Sequence, residues 1–465
     1  MKTQDCSRRQ FLATGLGTAA GAPVILSQRQ AAAGPNKKPP NIIWIIADDV
    51  GPHTFGCYGH PTVRTPNIDR LAAEGVRFTH AYVTSPSCSP SRATLFTGMY
   101  AHSVGAEDLH DPLPADAVTC HELLKDAGYH TANIAKCHLG KEQEDKFNVV
   151  YKSIGKWAEF FEERPKDKPF FLAVGFHDAH RPFARGCVDP PHDPEQVIVP
   201  PFLPDVEETR EDLAGFYDEI ARMDETIGAI MARIEAEGEI DNTFVMFCGD
   251  NGMPFPRAKN SLYEPGIASP VVLWWPGRIT AGSEYHQPAT TLDWTPTALD
   301  AAGVAVPKRM QGRSLFPQLD NPPEHARTEI YAERNWHDFD DHSRCVGDGR
   351  YKYIRNSFPD RPLLPAADLI RSPTFQKMRE MRDAGALTDA QMLLFRPGRD
   401  AEELYDRVRD GGEFHNVAGD PAYAPVLERM RKKLDAWVKE TDDVPPSKSQ
   451  PDTFDPETGE RLRRR

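Results

Sequence analysis

A mostly parallel α/β sheet between helices, followed by a smaller C-terminal subdomain of antiparallel sheet and helix, is the architecture this 465-residue sequence predicts. Three observations predict it: four short, uniformly apolar runs, helical stretches between them, and a change of texture near residue 346. Apolar runs this short suit strands buried on both faces, and such strands belong to parallel sheets covered by helices.

Residues 1–33 read as a targeting segment. Ser7-Arg8-Arg9-Gln10-Phe11-Leu12 is a twin-arginine motif, followed by a mildly apolar stretch to Leu26 and by Ala31-Ala32-Ala33, near which cleavage is expected. That stretch is too rich in Gly and Ala for a stable membrane insertion. The motif implies the twin-arginine translocase as a partner and a periplasmic or secreted destination. This route carries folded proteins, so a side chain can be modified before export.

A catalytic domain is expected over 41–345. Its first run, Asn41–Ala47, ends at Asp48-Asp49. Helical patterns follow at 67–75 and 119–127. His130–Ala135 ends at Lys136-Cys137-His138, and Phe170–Phe176 ends at His177-Asp178-Ala179-His180. Residues 211–237 form a long helix, with Leu213, Phe216, Ile220, Met223, Ile227, Ile230 and Ile234 at helical spacing. Thr243–Cys248 leads into Asp250-Asn251. Ligands of such sheets bind beyond the carboxyl ends of the strands, so four runs with polar ends point to one site.

From residue 346 to 442 the second subdomain is expected. Arg350–Ile354 alternates like a half-exposed strand, and 425–440 is an amphipathic helix carrying Leu427, Met430, Leu434 and Trp437. Residues 443–465 are rich in Pro and charge and predict a disordered tail.

The formal net charge of −14 disfavours nucleic acid and anionic membranes as partners. An anionic substrate then needs a local cluster of cations, for which Arg92, Lys136 and Lys259 are the candidates. The eight cysteines show no CxxC spacing, so a zinc ribbon is disfavoured and free buried thiols are the default.

Residues 88–92 read Cys-Ser-Pro-Ser-Arg and continue as Ala-Thr-Leu-Phe-Thr-Gly. Asp48, Asp49, Asp250 and Asn251 offer hard oxygens, which suit Ca²⁺ or Mg²⁺ better than zinc. A hard cation, a nucleophile and an arginine suit attack on a tetrahedral anion such as sulfate or phosphate. Blander readings compete: Asp-Asp as a helix cap, Asp-Asn-Gly as a turn, Cys88 as a small buried apolar residue, and Arg92 as a surface residue.

The Cys-x-Pro-Ser-Arg segment, the following Thr-Gly and the two acidic pairs together resemble the type I sulfatases, and the similarity covers nearly all of 41–442. The resemblance implies an alkaline-phosphatase-like sulfatase fold. It implies that a formylglycine-generating or sulfatase-maturating enzyme oxidises Cys88 to formylglycine (3-oxoalanine), whose hydrate is the nucleophile. It implies Ca²⁺ rather than Mg²⁺, held by Asp48, Asp49, Asp250, Asn251 and the modified Cys88. By the same resemblance Arg92 holds the nucleophile, Lys136 and His138 match a Lys-x-His pair that assists sulfate release, His180 matches the histidine serving the leaving group, and Lys259 matches a basic residue on the sulfate. Within the family, Phe176–Arg181, Asp250–Pro256, Ser372–Gln376, Leu404–Asp406 and Glu440–Asp442 resemble the sulfamidase (heparan N-sulfatase) branch. That branch cleaves the N-sulfate of glucosamine in heparan- and heparin-derived saccharides. Asp178, Arg181 and His337 are then candidate sugar contacts, with loop and salt-bridge roles as the alternative. Three other functions stay open: an O-sulfatase, a phosphonate or phosphodiester hydrolase, and a catalytically inactive glycan-binding protein with Cys88 unmodified.

Overall fold

The computed structural model describes residues 38–321, 326–446 and 449–462, so the twin-arginine segment lies outside the described residues. The elements that build the site are, in chain order, β1 (Asn41–Ala47), α1 (Pro66–Glu74), β2 (Val76–Phe78), β3 (Ala81–Tyr82), α2 (Cys88–Thr97), β4 (His130–Ala135), β5 (Val149–Tyr151), β6 (Phe170–Gly175), β7 (Thr243–Gly249), β8 (Val271–Trp274), β9 (Ser283–Tyr285) and β10 (Ala289–Thr290). Eight of these strands form one sheet in the order β5-β4-β6-β1-β7-β8-β2-β9. Within it β8 runs against its neighbours β7 and β2, and the other pairings are parallel. The short β3 and β10 pair separately.

The four apolar runs lie side by side as β4, β6, β1 and β7. Ile43 of β1 sits between Leu172 and Val245. All seven residues of β1 are buried, because helices cover both faces of the sheet. Alternate side chains enter two different cores. Ile43, Ile45 and Ala47 pack with the long helix Glu207–Ala236, while Ile42, Trp44 and Ile46 pack with α2 and the helix Trp294–Ala301. Trp44 meets Phe96 and Phe171 with ring centroids 5.1 and 5.0 Å apart.

The C-terminal region carries an antiparallel sheet of β11 (Ile330–Arg334), β12 (Ser343–Gly347), β13 (Tyr351–Asn356) and β14 (Glu402–Asp406). The helix Ala424–Glu440 lays Leu427, Met430, Leu434 and Trp437 against Val346, Tyr353 and Leu404. Two expectations need correction. The sheet begins at Ile330 rather than near residue 346, because β11 pairs along its whole length with β12. Residues 449–462 are also placed rather than disordered. The Thr453 N–H donates to the Asp338 carbonyl at 2.9 Å, Phe454 packs against the main core, and Phe454 bridges to Arg461. A composition rich in Pro and charge misses these contacts because its partners are distant in sequence. Among the described residues no helix is long and apolar enough to cross a membrane.

Candidate active site

The carboxyl ends of β4, β6, β1 and β7 converge on one buried cluster. Asp48 and Asp49 follow β1, and Asp250 and Asn251 follow β7, all four fully buried. The Asp49 N–H donates to Asp250 Oδ1 at 3.2 Å, which ties the two strand ends together. Cys88 is the first residue of α2, a helix buried along all ten residues. Its Sγ lies 3.4 Å from Asp48 Oδ1 and 3.8 Å from Asp49 Oδ1. Burial, with Asp48 and Asp250 nearby, pushes the Cys88 thiol well up, so the unmodified side chain is a protonated thiol here.

One helical turn on, Arg92 is buried with a side-chain exposure of 0%. Its Nε donates to Asp250 Oδ2 at 2.7 Å and its Nη1 to the Lys136 carbonyl at 2.8 Å. Gly175 at the end of β6 permits this approach, since a Cβ there would stand 1.8 Å from that carbonyl oxygen. The Lys136 ammonium pairs with Asp48 Oδ2. Burial is the largest influence and opposes its charge, but the neighbouring acidic groups, Asp48 foremost and Asp250 with it, together outweigh burial and hold the ammonium protonated. Lys259 Nζ lies 2.7 Å from Asp49 Oδ2 and 3.2 Å from Asp368 Oδ2. Several site residues sit in left-handed backbone: Asp49 (φ 54°), Ala135 (φ 61°), His138 (φ 65°) and Ala179 (φ 76°). Such conformations cost about 1–3 kcal/mol each and persist where surrounding structure enforces them.

The donor set fits a hard divalent cation. Ligand atoms of Asp48, Asp49, Asp250 and Cys88 lie within 4.8 Å of one another. Asn251 Nδ2 donates to Asp49 Oδ1 at 2.6 Å while its Oδ1 is buried without a partner. An orphaned amide oxygen beside three carboxylates is what a cation of this class would satisfy. Burial, then the neighbouring Asp48, pushes the Asp250 carboxyl up to about 6 despite Arg92. Asp48, Asp49 and Asp250 face Arg92, Lys136 and Lys259, a balanced set. A divalent ion would tip it positive, the sign that draws an anion from an acidic protein.

His180 and Asp368 stand over this floor. The His180 Nδ1 donates to the Arg181 carbonyl at 2.6 Å, which leaves Nε2 facing the cluster. That Nε2 is 3.9 Å from Asp49 Oδ2 and 3.8 Å from Asp368 Oδ2. His138 pairs its Nε2 with His110 Nδ1 at 2.8 Å. Burial, then Lys136 and Arg92, lower the His138 imidazole to about 3, so it is neutral. His337 bonds Asp338 through Nδ1 at 3.0 Å, and its Nε2 is buried without a partner.

Cys88, Arg92, Lys136, His138, His180 and Lys259 therefore come together with the acidic pairs, and His337 stands beside Asp338 and the turn that carries Asp368. Asp178 and Arg181 do not fit the expectation of sugar contacts. Asp178 is buried and accepts from Arg222 Nε at 2.6 Å. Arg181 forms a two-pronged pair with Asp212 at 2.7 Å and lies between the rings of Phe183 and Phe255. Both pin the loop that carries His180 onto the long helix Glu207–Ala236. Sequence reasoning missed Asp368, Asp338 and His110. Asp368 sits on the short helix Ala367–Ile370, and no local pattern distinguishes it.

Known proteins resemble this chain over most of its length. The sulfatase family model matches residues 40–155 and 148–304, and the model described as N-sulphoglucosamine sulphohydrolase, C-terminal, matches 257–361. Human N-sulphoglucosamine sulphohydrolase is 31% identical, over 87% of this chain and 91% of its own. An ulvan-active sulfatase of Formosa agariphila is 30% identical, over 86% of this chain and 74% of its own. A solved structure in complex with D-glucosamine-2-N,6-O-disulfate superposes with a TM-score of 0.66 at 22% identity, covering 88% of this chain and 99% of its own. A 2-O glycosaminoglycan sulfatase gives a TM-score of 0.67 at 21% identity, covering 91% and 98%. Matched along most of its length, with its cysteine helix and acidic strand ends folded into one cluster, the chain belongs to the sulfatase family of hydrolases.

Proposed function

We propose that the protein hydrolyses the N-sulfate of glucosamine in heparan- or heparin-derived saccharides. The observation that carries this reading is the buried cluster of Cys88, Arg92, Lys136 and Lys259 with the two acidic pairs, in a chain 31% identical to a sulphohydrolase of N-sulphoglucosamine. Asp48, Asp49, Asp250 and Asn251 would hold Ca²⁺, with Mg²⁺ the less suited ion, beside a Cys88 converted to formylglycine. The ion supplies charge opposite the sulfate oxygens, and the converted side chain supplies the oxygen that attacks sulfur. Arg92 fixes Asp250 and the floor of the site. Lys136 and Lys259 offset negative charge gathering on the sulfate. His180 presents Nε2 to the leaving atom, and His138, adjacent to Lys136, is the candidate acceptor of a proton once the anionic sulfate offsets the Lys136 and Arg92 charges that lower its basicity. His337 remains a candidate contact for a sugar hydroxyl through its unpartnered Nε2. The conversion of Cys88 calls for a formylglycine-generating or sulfatase-maturating enzyme before export by the twin-arginine translocase to the periplasm or beyond.

An O-sulfatase is the second reading, favoured by the ulvan-active relative of similar identity. Sulfate or phosphonate release from N-sulfoglucosamine, an aryl sulfate and an aryl phosphonate, measured in parallel, separates the readings. Sulfate from N-sulfoglucosamine is expected, and turnover of the aryl compounds alone would sink the N-sulfate assignment. The Cys88 peptide is expected about 18 Da lighter than the plain sequence, the mass change of thiol to aldehyde. An unchanged mass in inert material would point to a glycan-binding protein instead. Chelation is expected to lower the thermal midpoint, and Ca²⁺ at about 100 times its Kd to restore about 2.7 kcal/mol of stability. A midpoint indifferent to chelator and to added Ca²⁺ or Mg²⁺ would remove the cation from the site.

A further inference from the structure

We propose that Asp368 selects the leaving group: its carboxylate faces the sulfamate nitrogen and accepts its N–H, so the pocket prefers an N-sulfated amino sugar to an O-sulfated one. This rests on the N-sulfate reading above and names the residue responsible.

The geometry is a pair of carboxylates, one inner and one outer, with His180 and Lys259 shared between them. His180 Nε2 stands 3.9 Å from Asp49 Oδ2 and 3.8 Å from Asp368 Oδ2, and Lys259 Nζ stands 2.7 and 3.2 Å from the same two oxygens. Asp49 is closed off from solvent beside Cys88 (0% side-chain exposure), whereas the Asp368 side chain is 21% exposed. Sulfur lies on the inner side, next to the nucleophile. The atom leaving sulfur must come within reach of His180 Nε2, so it faces the outer carboxylate.

That carboxylate is held in place. Asp368 Oδ1 accepts the Leu369 N–H at 2.9 Å, and the Ala367 N–H donates to Asp338 Oδ2 at 2.7 Å. Asp338 also takes His337 Nδ1, so one side chain locks the turn that carries Asp368 to the loop that carries His337.

The chemistry separates the two substrate classes. An ester oxygen has only lone pairs to offer, and beside a carboxylate these repel. A sulfamate nitrogen carries a hydrogen and can donate it. When the S–N bond breaks, its electron pair stays on nitrogen, which takes a proton from His180. Over the whole hydrolysis one water is consumed. Its oxygen ends in sulfate and its two hydrogens join the N–H as an ammonium, so RNHSO₃⁻ and H₂O become RNH₃⁺ and SO₄²⁻. The ammonium pairs with Asp368, whereas an alcohol product gains no such partner.

The test compares wild type with Asp368→Asn, whose amide oxygen can still accept from Lys259. For N-sulfoglucosamine kcat/KM is expected to fall about 30-fold or more, with aryl sulfate within about threefold, the discrimination typical of an unpaired polar contact. Calorimetry on protein with Cys88 unconverted gives a readout independent of turnover. Wild type is expected to bind glucosamine more tightly than N-acetylglucosamine, and the variant to lose that preference. A thermal midpoint matching wild type certifies folding independently of turnover, and Asp368→Ser carries the same comparison should the Asn variant fold poorly. A parallel fall on both substrates, or an unchanged preference for glucosamine, overturns the proposal and leaves Asp368 as a prop for Lys259. A wild type that cleaves aryl sulfate but not N-sulfoglucosamine overturns the N-sulfate reading instead, and the glucosamine binding comparison still decides Asp368.

Discussion

Cys88→Ala is expected to lower sulfate release from N-sulfated and aryl substrates alike by about 10³-fold or more while leaving the fold intact. The side chain is 3% exposed at the start of α2, with Sγ against Asp48 and Asp49. Its removal deletes one atom from a cluster whose other contacts, Arg92 to Asp250, Lys136 to Asp48 and Lys259 to Asp49, do not involve it. A loss on that scale is what removal of an attacking group causes when charge stabilisation stays in place. The stability cost of so small a buried truncation is about 1 kcal/mol, so the thermal midpoint should move little. Substrate binding, which depends on the cations and the outer wall, should persist in the variant. Turnover comparable to wild type in Cys88→Ala would show that the attacking oxygen comes from elsewhere, and the proposed chemistry would fall with it.

The strand ends were legible because two local signals coincide at each. A run apolar at every position marks a strand buried on both faces, and the polar residue that ends it marks the side where the sheet opens. Asp48, Asp49, Lys136, His180 and Asp250 all emerge this way, and the observed strands β1 and β4 have the bounds their apolar runs predict. What failed has a common physical cause. Asp178 and Arg181 lie in the right loop, but their partners Arg222 and Asp212 belong to a helix whose facing cannot be fixed from the loop itself. Asp368 reaches the site only because Asp338 and the 366–370 turn are packed beneath it, contacts between segments that the chain does not place together. The final segment reads as disordered by composition, yet the Asp338 carbonyl and the main core give Thr453 and Phe454 something to hold.

Arg92→Met is expected to be among the most destabilising single changes in the protein, and Asp250→Asn is expected to repair much of the damage. Both side chains of this pair have an exposure of 0%, and the guanidinium also serves the Lys136 carbonyl. Removing one member of a fully buried pair leaves the other as an uncompensated charge and costs about 3–5 kcal/mol. Here the cost has a sign in pH. Burial and Asp48 already hold the Asp250 carboxyl at about 6, above its unfolded value, even with Arg92 present. Without Arg92 it rises further, so the native state binds a proton that the unfolded state does not, and stability increases as pH falls through the folded value. In chelator, the midpoint difference between wild type and Arg92→Met should therefore shrink from pH 7.5 to pH 5. Asp250→Asn removes the orphaned charge altogether, so the double variant should recover more than half of the loss, a non-additivity expected of direct partners. Simple additivity of the two changes, or a midpoint difference that grows toward acid, would mean that Arg92 acts by packing α2 against the sheet rather than by holding the carboxylate on which the cation cluster is built.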